Sequence, residues 1–279
     1  MNKLQKHKTE KLDKKSIQLR LNILTAVERF KRGHIGGAFS SIEIIRIIYD
    51  YFLKLKNKDY NPSSSNQFIL SKGHGCLSLY SVLYDKKIIS LRTLKSFTGI
   101  NSILGGHPEH IIPSVNVSTG SLGHGFSVAA GISLANKIKK NKSLYTFVLL
   151  GDGELNEGSI WECCLSIKKN NLTNLITLVD YNKMQSYGPT TEVMHLEPLG
   201  AKWKAFGFNV MEINGHNLSQ IKKAISKAKK NKKKPTVIIC HTVKGKGLSV
   251  AENNATWHYK SSFTEEEIFK VSNELKLKK

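Results

Sequence analysis

The amino-acid sequence predicts a doubly wound α/β fold, in which a mostly parallel sheet carries helices on both faces. Four apolar, β-branched runs without strict alternation occupy residues 145–150, 175–180, 208–213 and 236–241. Such runs are typical of strands that are buried on both faces of a parallel sheet. Helical segments separate them, at residues 157–169, 197–206 and 217–230. This alternation of strand and helix is the pattern of βαβ units.

Two helices are predicted near the start of the chain. In the first, apolar residues recur at helical spacing across residues 16–31, and Gly33 should end the helix. For the second, Ser40 followed by Glu43 forms a capping-box pattern ahead of an apolar helical stretch. We therefore predict that the second helix begins at Ser40.

Three further elements complete the predicted fold. Residues 68–71 form a short buried strand that leads into a glycine-rich turn, and residues 126–139 form a helix rich in small residues. A last helix follows Thr264, with Glu267 as its capping partner. Because no internal repeat or low-complexity linker interrupts the chain, residues 1–279 are predicted to form a single domain.

Composition predicts a cytoplasmic protein without a membrane span. Hydrophobic residues make up 40% and charged residues 23% of the 279 residues, as in ordinary globular proteins. No apolar run approaches the roughly 18 residues of a membrane span, and residues 1–15 do not resemble a secretory signal. The cysteines lack the CxxC spacing of a zinc site and should be buried or half-buried free thiols; they are Cys76, Cys163, Cys164 and Cys240.

The formal net charge of +22 raises the question of a nucleic-acid partner. The excess is almost all lysine and is thickest at residues 222–235, whereas arginine, which reads guanine edges, occurs at only five positions. This distribution favours a solvated, lysine-rich surface over a nucleic-acid interface. Part of the charge could still serve an anionic ligand or an acidic partner chain.

Polar residues at two strand ends predict a Mg²⁺ site. Asp152 lies between two glycines directly after one strand, and Asn182 follows the next strand about 30 residues later. Ligands of open α/β sheets bind beyond the carboxyl ends of the strands, and Mg²⁺ prefers such oxygen donors. Taken singly, a GDG turn and a loop asparagine are common. Together they predict a metal that carries a diphosphate, which the glycines would allow to approach the backbone.

Four histidines are the second chemical signal. Three of them, His34, His74 and His107, lie in glycine-bearing segments, and His258 follows a tryptophan near the end of the chain. A single histidine is most often a surface or core residue, but several in loops indicate a pocket that needs a proton donor near neutral pH. Other phosphate-binding motifs are absent: the sequence has no GxxxxGK[ST] and no GxGxxG turn.

Longer motifs resemble the transketolase family. "LLGDGELNEGSIWE" and "LITLVDYNKMQ" resemble the thiamine-diphosphate motif. "FILSKGHGCLSLYSVL", "GGHPEH…PSVNVSTGSLGHG" and "HTVKGKGLS…ENNATWH" resemble transketolase specifically, in the same order and over almost the whole chain. The likeness covers only the diphosphate-binding half, so the chain resembles the amino-terminal subunit of a split transketolase. "GHIGG" at His34 also resembles the split subunits more than the single-chain enzymes.

The resemblance implies a role for individual residues around thiamine diphosphate and Mg²⁺. The metal ligands would be Asp152, Asn182 and the main-chain oxygen of Met184. The candidate cofactor-binding residues are His74, Gly120, Ser121, Leu122, Gly151, Asp152, Gly153, Glu154, Asn182 and His258. Ser121 and His124 depart from the proline and glutamine often found in the family, which puts local cofactor contacts in doubt.

The catalytic residues implied by the resemblance are histidines. His34 and His258 would face the hydroxyl whose proton moves during carbon–carbon cleavage, and His107 would bond the donor's terminal hydroxyl. Glu157 resembles the acidic residue of the subunit contact and of the coupling between cofactor sites. Glu154 is left open between a place behind the metal ligands and the surface.

The predicted function is transfer of a two-carbon ketol group from a ketose phosphate to an aldose phosphate. The partner would be a separate carboxy-terminal, pyrimidine-binding transketolase subunit, with two copies of each chain and no activity for this chain alone. Two alternatives stay open. One is a related ketol or acyl transferase for an unusual sugar in a biosynthetic pathway, rather than a housekeeping enzyme of the pentose phosphate pathway. The other is a non-catalytic basic binding protein on the same fold.

Overall fold

The structure is a computed structural model that describes residues 10–53, 61–141 and 143–279. Residues 1–9, part of the segment that is not expected to be a secretory signal, lie outside the described residues. The described residues form a sheet of five strands in the order β1-β2-β3-β5-β4. The strands are β1 (Gln67–Leu70), β2 (Thr146–Gly151), β3 (Leu175–Tyr181), β4 (Asn209–Asn214) and β5 (Thr236–His241).

All four strand pairings are parallel, which confirms the predicted α/β fold. The helices are α1 (Lys14–Val27), α2 (Ile35–Ile47), α3 (Cys76–Asp85), α4 (Leu91–Lys95), α5 (His124–Ile138), α6 (Gly158–Lys169), α7 (Thr190–Val193), α8 (Leu199–Ala205), α9 (Leu218–Lys230) and α10 (Glu265–Leu277). Short π or 3₁₀ turns occupy Ile48–Phe52, Gly73–Gly75, Gly153–Asn156 and Ala255–Trp257. Helix α3 was not predicted from the sequence.

The strands divide the interior into two cores. Along β2, Phe147 and Leu149 pack on the face covered by α1, α2, α3, α9 and α10. Val148 and Leu150 point to the other face, covered by α5, α6 and α8. Because both faces are covered, four strands are buried along their whole length, as their continuous apolar runs predicted. Strand β4 lies at an edge and is only partly buried.

The predicted start of the second helix is wrong. Helix α2 begins at Ile35, so Ser40 and Glu43 lie inside it, and both are buried. The Ser40 hydroxyl donates to Asp180 at 2.6 Å, and Glu43 forms an ion pair with Arg20 at 2.7 Å. These distant partners replace the capping pattern. Helix α1 also ends earlier than predicted, at Val27.

The last helix behaves as its sequence predicted. Thr264 accepts a hydrogen bond from the backbone N–H of Glu267, and the Glu267 side chain accepts one from the backbone N–H of Thr264. This reciprocal capping box fixes the start of α10. All four cysteines are buried free thiols, as predicted. Within the described ranges, no helix has both the length and the apolar character needed to cross a membrane.

The parallel arrangement places the carboxyl ends of the strands at one edge of the sheet. The β2–β3 register pairs Gly151 with Asp180. Asp152 therefore follows β2 directly beside the segment that carries Asn182 after β3. The fold itself brings the two predicted metal ligands together, because neighbouring parallel strands end at the same edge.

Candidate active site

A cavity of about 270 Å³ opens at the carboxyl edge of the sheet. Predicted site residues line most of it: His34, His74, His107, Gly120, Leu122, Gly151, Asp152, Gly153, Glu154, Asn182, Met184 and His258. The cavity is also lined by residues that the sequence did not single out: Gly37, Lys72, Gln185, Ser186 and Lys244. Ser121 is exposed and does not belong to the lining.

The predicted metal ligands supply three oxygen donors. The buried Asp152 carboxylate accepts backbone N–H groups from Gly153 at 2.8 Å and Lys183 at 2.6 Å. The side-chain oxygen of Asn182 accepts the N–H of Met184 at 3.1 Å, which holds this segment in a tight turn. One carboxylate, one amide oxygen and one main-chain oxygen form a set suited to Mg²⁺. In the described part of the chain, no group of three or more His, Cys, Asp or Glu could hold a metal, so this mixed oxygen set is the candidate.

The electrostatic environment of Asp152 favours a nearby cation. Burial raises the pKa of Asp152 to about 6, and the nearby charge of Asp180 adds to the rise. Two backbone N–H donors only partly oppose this effect. A divalent cation would stabilise the carboxylate, because opposite charge within a few ångströms favours ionisation. The donor set and the pKa both fit a bound Mg²⁺.

Lys244 reaches the same corner of the cavity, and sequence reasoning missed it. Its ammonium donates to the main-chain oxygens of Met184 at 2.9 Å and Gln185 at 3.1 Å, and to Nδ1 of His258 at 2.7 Å. Burial lowers the pKa of Lys244 to about 8, although the charge of Asp152 opposes the decrease. The Lys244 ammonium and a Mg²⁺ at the neighbouring oxygen donors could together neutralise a diphosphate. The motif "VKGKG" stands out in the sequence as lysine-rich, but one lysine among many gives no further signal.

At the cavity wall, Lys72 forms a buried ion pair with Asp180, with an N–O distance of 2.5 Å. Asp180 also accepts hydrogen bonds from the hydroxyls of Ser40 and Thr242. Although burial opposes ionisation, these partners, led by Lys72, hold the pKa of Asp180 below its ordinary value. The amide nitrogen of Asn182 lies 3.4 Å from the same carboxylate. The pair therefore helps to orient Asn182.

The four histidines form one wall of the cavity. The ring of His34 lies 5.5 Å from that of His74, 6.4 Å from that of His107 and 5.4 Å from that of His258, between ring centres. The rings of His74 and His258 are 5.4 Å apart. Sequence reasoning placed these residues in loops with no means of fixing their distances. The fold brings all four together.

Burial keeps three of these histidines neutral. Burial first, and then the charges of His107 and Lys244, lower the pKa of His34 to about 4. Burial and neighbouring positive charges likewise lower the pKa of His258 to about 3 and that of His74 well below 6.5. Because Lys244 donates to Nδ1 of His258, the neutral ring carries its proton on Nε2. His258 can thus donate a hydrogen bond from that nitrogen.

Glu154 is buried, so the surface alternative for this residue is wrong. Its carboxylate accepts hydrogen bonds from the hydroxyl of Ser71 at 2.5 Å and from the backbone N–H groups of Gly123 at 2.9 Å and Gly151 at 3.0 Å. The side chain ties the loop before α5 to the end of β2. Glu157, by contrast, is exposed.

Fold and geometry define a class of protein. A parallel α/β sheet ends in a cavity that combines hard oxygen donors, a buried lysine and neutral histidines. Such a cavity can hold a metal-bound diphosphate and exchange protons with a bound molecule.

Comparison with known proteins narrows the class. Residues 12–278 match the family model described as "Transketolase, thiamine diphosphate binding domain". The chain is 37% identical over 250 residues to an apulose-4-phosphate transketolase subunit of Phocaeicola vulgatus, covering 90% of this chain and 89% of that protein. It is 38% identical over 230 residues to the 6-deoxy-6-sulfo-D-fructose transketolase subunit of a Clostridium species, covering 81% of this chain and 82% of that protein.

Solved transketolase structures have the same fold as this chain. The transketolase of Leishmania mexicana superposes with a TM-score of 0.85 at 28% identity, and the chain covers 42% of it. The Campylobacter jejuni transketolase gives a TM-score of 0.84 at 30% identity, with 43% covered. The chain thus spans less than half of these single-chain enzymes. It belongs to the transketolase family and contains its thiamine-diphosphate-binding domain, which confirms the resemblance seen in the sequence.

Proposed function

We propose that this chain is the diphosphate-binding subunit of a transketolase that moves a two-carbon ketol group from a ketose phosphate to an aldose phosphate. The observation that carries the proposal is the meeting of the Asp152–Asn182–Met184 oxygen donors with four histidines in one cavity. Either group alone would fit many proteins. Their combination on a transketolase-family domain fits a metal-bound cofactor on one side and a reacting sugar on the other.

In this proposal, Asp152, Asn182 and the main-chain oxygen of Met184 hold Mg²⁺. Gly153, His74 and His258 contact the diphosphate end of thiamine diphosphate, and the Lys244 ammonium neutralises part of its charge. Gly120 and Leu122 lie beside the cofactor rings. When bound, thiamine diphosphate supplies the nucleophilic carbon and stores the electrons that carbon–carbon cleavage releases.

The histidines handle protons and orientation. His34 and His258 face the substrate hydroxyl whose proton moves, and their low pKa values keep both rings neutral. A neutral His34 can accept that proton, whereas His258 offers the hydroxyl a hydrogen bond from its protonated Nε2. His107 bonds the terminal hydroxyl of the donor. The contact between the Lys244 ammonium and Nδ1 of His258 fixes the orientation of that ring.

A second chain completes the site in this proposal. The partner is the pyrimidine-binding subunit, and the assembly contains two copies of each chain, with the exposed Glu157 at a contact between subunits. Relatives that are themselves named as transketolase subunits, in Phocaeicola vulgatus and Actinobacillus succinogenes, support a partner of this kind. A cytoplasmic location belongs to the same proposal and is supported by four buried cysteines without a disulfide.

The test is reconstitution. The purified chain should show no ketol transfer with Mg²⁺ and thiamine diphosphate, and addition of the pyrimidine-binding subunit should restore transfer in proportion to the complex formed. The assay follows glycolaldehyde transfer between several sugar phosphates. Robust transfer by the chain alone, verified free of host transketolase, contradicts the proposal.

A second candidate concerns the substrate. Two relatives with similarity over more than four fifths of the chain are named for apulose-4-phosphate and 6-deoxy-6-sulfo-D-fructose. These names favour a specialised ketose over a housekeeping substrate. A panel that compares such ketoses with xylulose 5-phosphate, by kcat/KM of the assembled enzyme, separates the two. A preference of about tenfold or more for one class, about 1.4 kcal/mol, decides between them.

A further inference from the structure

A buried charge cluster lies outside the cavity. It contains Arg20 of α1, Glu43 of α2 and His216 of the β4–α9 loop, each 2% exposed or less. The Arg20 guanidinium donates to both oxygens of Glu43, at 2.7 and 3.1 Å. Its other donors reach the main-chain oxygens of Ser16 at 3.0 Å, Phe39 at 2.8 Å and Lys246 at 2.7 Å. None of the three cluster residues lines the cavity.

His216 completes the cluster through both of its ring nitrogens. One ring nitrogen, Nδ1, donates to Glu43 at 2.8 Å, and the other, Nε2, accepts the backbone N–H of Val243 at 2.9 Å. The ring therefore carries its proton on Nδ1. Although burial opposes ionisation, Arg20 and His216 hold the pKa of Glu43 far below its ordinary value, so the carboxylate stays charged.

Two of the contacts that leave the cluster, one from His216 and one from Arg20, reach the turn formed by residues 243–247. His216 holds the N–H of Val243, and Arg20 holds the oxygen of Lys246. Between these points Gly245 adopts a φ of 75°, and a Cβ there would lie 2.2 Å from the oxygen of Ala251. The backbone N–H of Gly245 also donates to the oxygen of Gly36 at 3.0 Å. The turn is thus fixed on both sides of Lys244.

The side chain of Lys244 leaves this turn for the cavity. It packs along α2, where a Cβ on Gly36 would lie 3.0 Å from Cγ of Lys244. Its ammonium then meets the oxygens of Met184 and Gln185 and the ring of His258. Because these contacts lie within 3.1 Å, a shift of the turn by about 1 Å would move the ammonium away from its partners.

We propose that Arg20, Glu43 and His216 are positioning residues that hold the turn 243–247, so that the Lys244 ammonium is aimed at the diphosphate end of the cofactor. The inference rests on the proposed function, which makes Lys244 a diphosphate contact. A cluster that served stability alone would need no bonds to this turn, and buried ion pairs are often replaceable by apolar residues without loss of stability.

Two substitutions of His216 separate positioning from simple pairing with Glu43. In His216→Gln, the amide oxygen lies near the original Nε2 and can still accept the Val243 N–H. In His216→Asn, the shorter amide can still donate to Glu43 but does not reach Val243. The two variants have similar polarity, so the bond to the turn is the main difference between them.

The experiment measures binding of Mg²⁺ and thiamine diphosphate to the full chain by calorimetry, with thermal unfolding in parallel. His216→Asn should weaken binding about 10–100-fold, the usual effect of losing a supporting partner, whereas His216→Gln should stay within a few-fold of wild type. Leu172→Ala, a buried position just before β3 and remote from the cavity, is the control: it destabilises the chain by about 2–5 kcal/mol and should leave binding unchanged.

A double substitution identifies Lys244 as the mediator. In a Lys244→Met background, His216→Asn should cause no further loss of cofactor affinity. Equal affinity of His216→Asn and wild type, or the same loss with and without Lys244, overturns the inference. A wild-type chain that binds neither thiamine diphosphate nor inorganic pyrophosphate with Mg²⁺ contradicts the proposed function instead.

Discussion

Asp152 directly follows β2 and Asp180 lies near the end of the neighbouring strand β3. Both are buried, but their pKa values are shifted in opposite directions. Asp180 has Lys72 and two hydroxyls as partners, and its pKa is held below the ordinary value. Asp152 has only two backbone donors as close hydrogen-bond partners among the described residues, and burial raises its pKa to about 6. The first carboxylate is satisfied by the fold, whereas the second would be stabilised by a cation. The comparison therefore distinguishes a structural carboxylate, Asp180, from a carboxylate that is suited to bind a ligand, Asp152.

The largest expected effect is the loss of turnover when a histidine of the cavity wall is replaced. His258→Ala leaves both aspartates in place, so the fold and the metal site should survive. Turnover of the assembled enzyme should fall by about 10²–10⁴-fold, because a positioned proton donor or acceptor is lost. The measurement is kcat at saturating cofactor, with circular dichroism as the control for folding. Near-normal turnover would remove His258 from the mechanism.

Removing Asp180 should damage the fold itself. Asp180→Ala leaves the Lys72 ammonium buried and unpaired, which typically costs about 3–5 kcal/mol of stability. Urea unfolding of the cofactor-free chain measures this loss. Leu172→Ala gives a matched loss of apolar packing remote from the site. A change below about 1 kcal/mol in Asp180→Ala would show that the pair is not needed for stability.

Replacing Asp152 should change the free energy of unfolding in the opposite direction. A carboxylate whose pKa is higher in the folded chain binds more protons when folded, so its ionisation destabilises the fold as pH rises from about 4 to 6. Above that window Asp152→Asn should therefore stabilise the cofactor-free chain by about 1–3 kcal/mol. Urea unfolding at about pH 7.5 is the measurement. A destabilised Asp152→Asn chain would mean that Asp152, like Asp180, already has its partners.

The pH dependence of binding gives the smallest effect. Mg²⁺ with inorganic pyrophosphate should bind best above pH about 6 and weaken by at most about tenfold per pH unit below it, because Asp152 must release a proton. Calorimetry at about pH 5, 6 and 7.5 follows this change. Pyrophosphate also takes up protons, so titration of Mg²⁺ with pyrophosphate at the same pH values without protein provides the baseline. A wild-type dependence no steeper than that baseline rules out Asp152 as the titrating group.

Sequence alone revealed the residues whose signal is local. The strands were visible as apolar runs, and Asp152 and Asn182 were visible because each follows a strand directly. Parallel pairing then had to bring them together. The histidines were also visible, because glycines surround three of them, although their common wall depends on loops from distant parts of the chain.

The residues that sequence missed depend on partners far along the chain. Lys72 and Lys244 could not be distinguished from the many other lysines, because only tertiary burial separates them from solvated ones. Glu43 matched a capping pattern, but its Arg20 and His216 partners decided its place inside α2. A local pattern cannot report such contacts, and this is why the charge cluster was unpredictable.

The most direct test of the account is calorimetric titration of thiamine diphosphate into the full chain with Mg²⁺, for wild type, Asp152→Asn and Lys244→Met. The account predicts Mg²⁺-dependent binding to wild type, none detectable for Asp152→Asn, and weakened binding for Lys244→Met, with all three chains folded. Unchanged affinity in Asp152→Asn would contradict the claim that this carboxylate holds the metal for the cofactor.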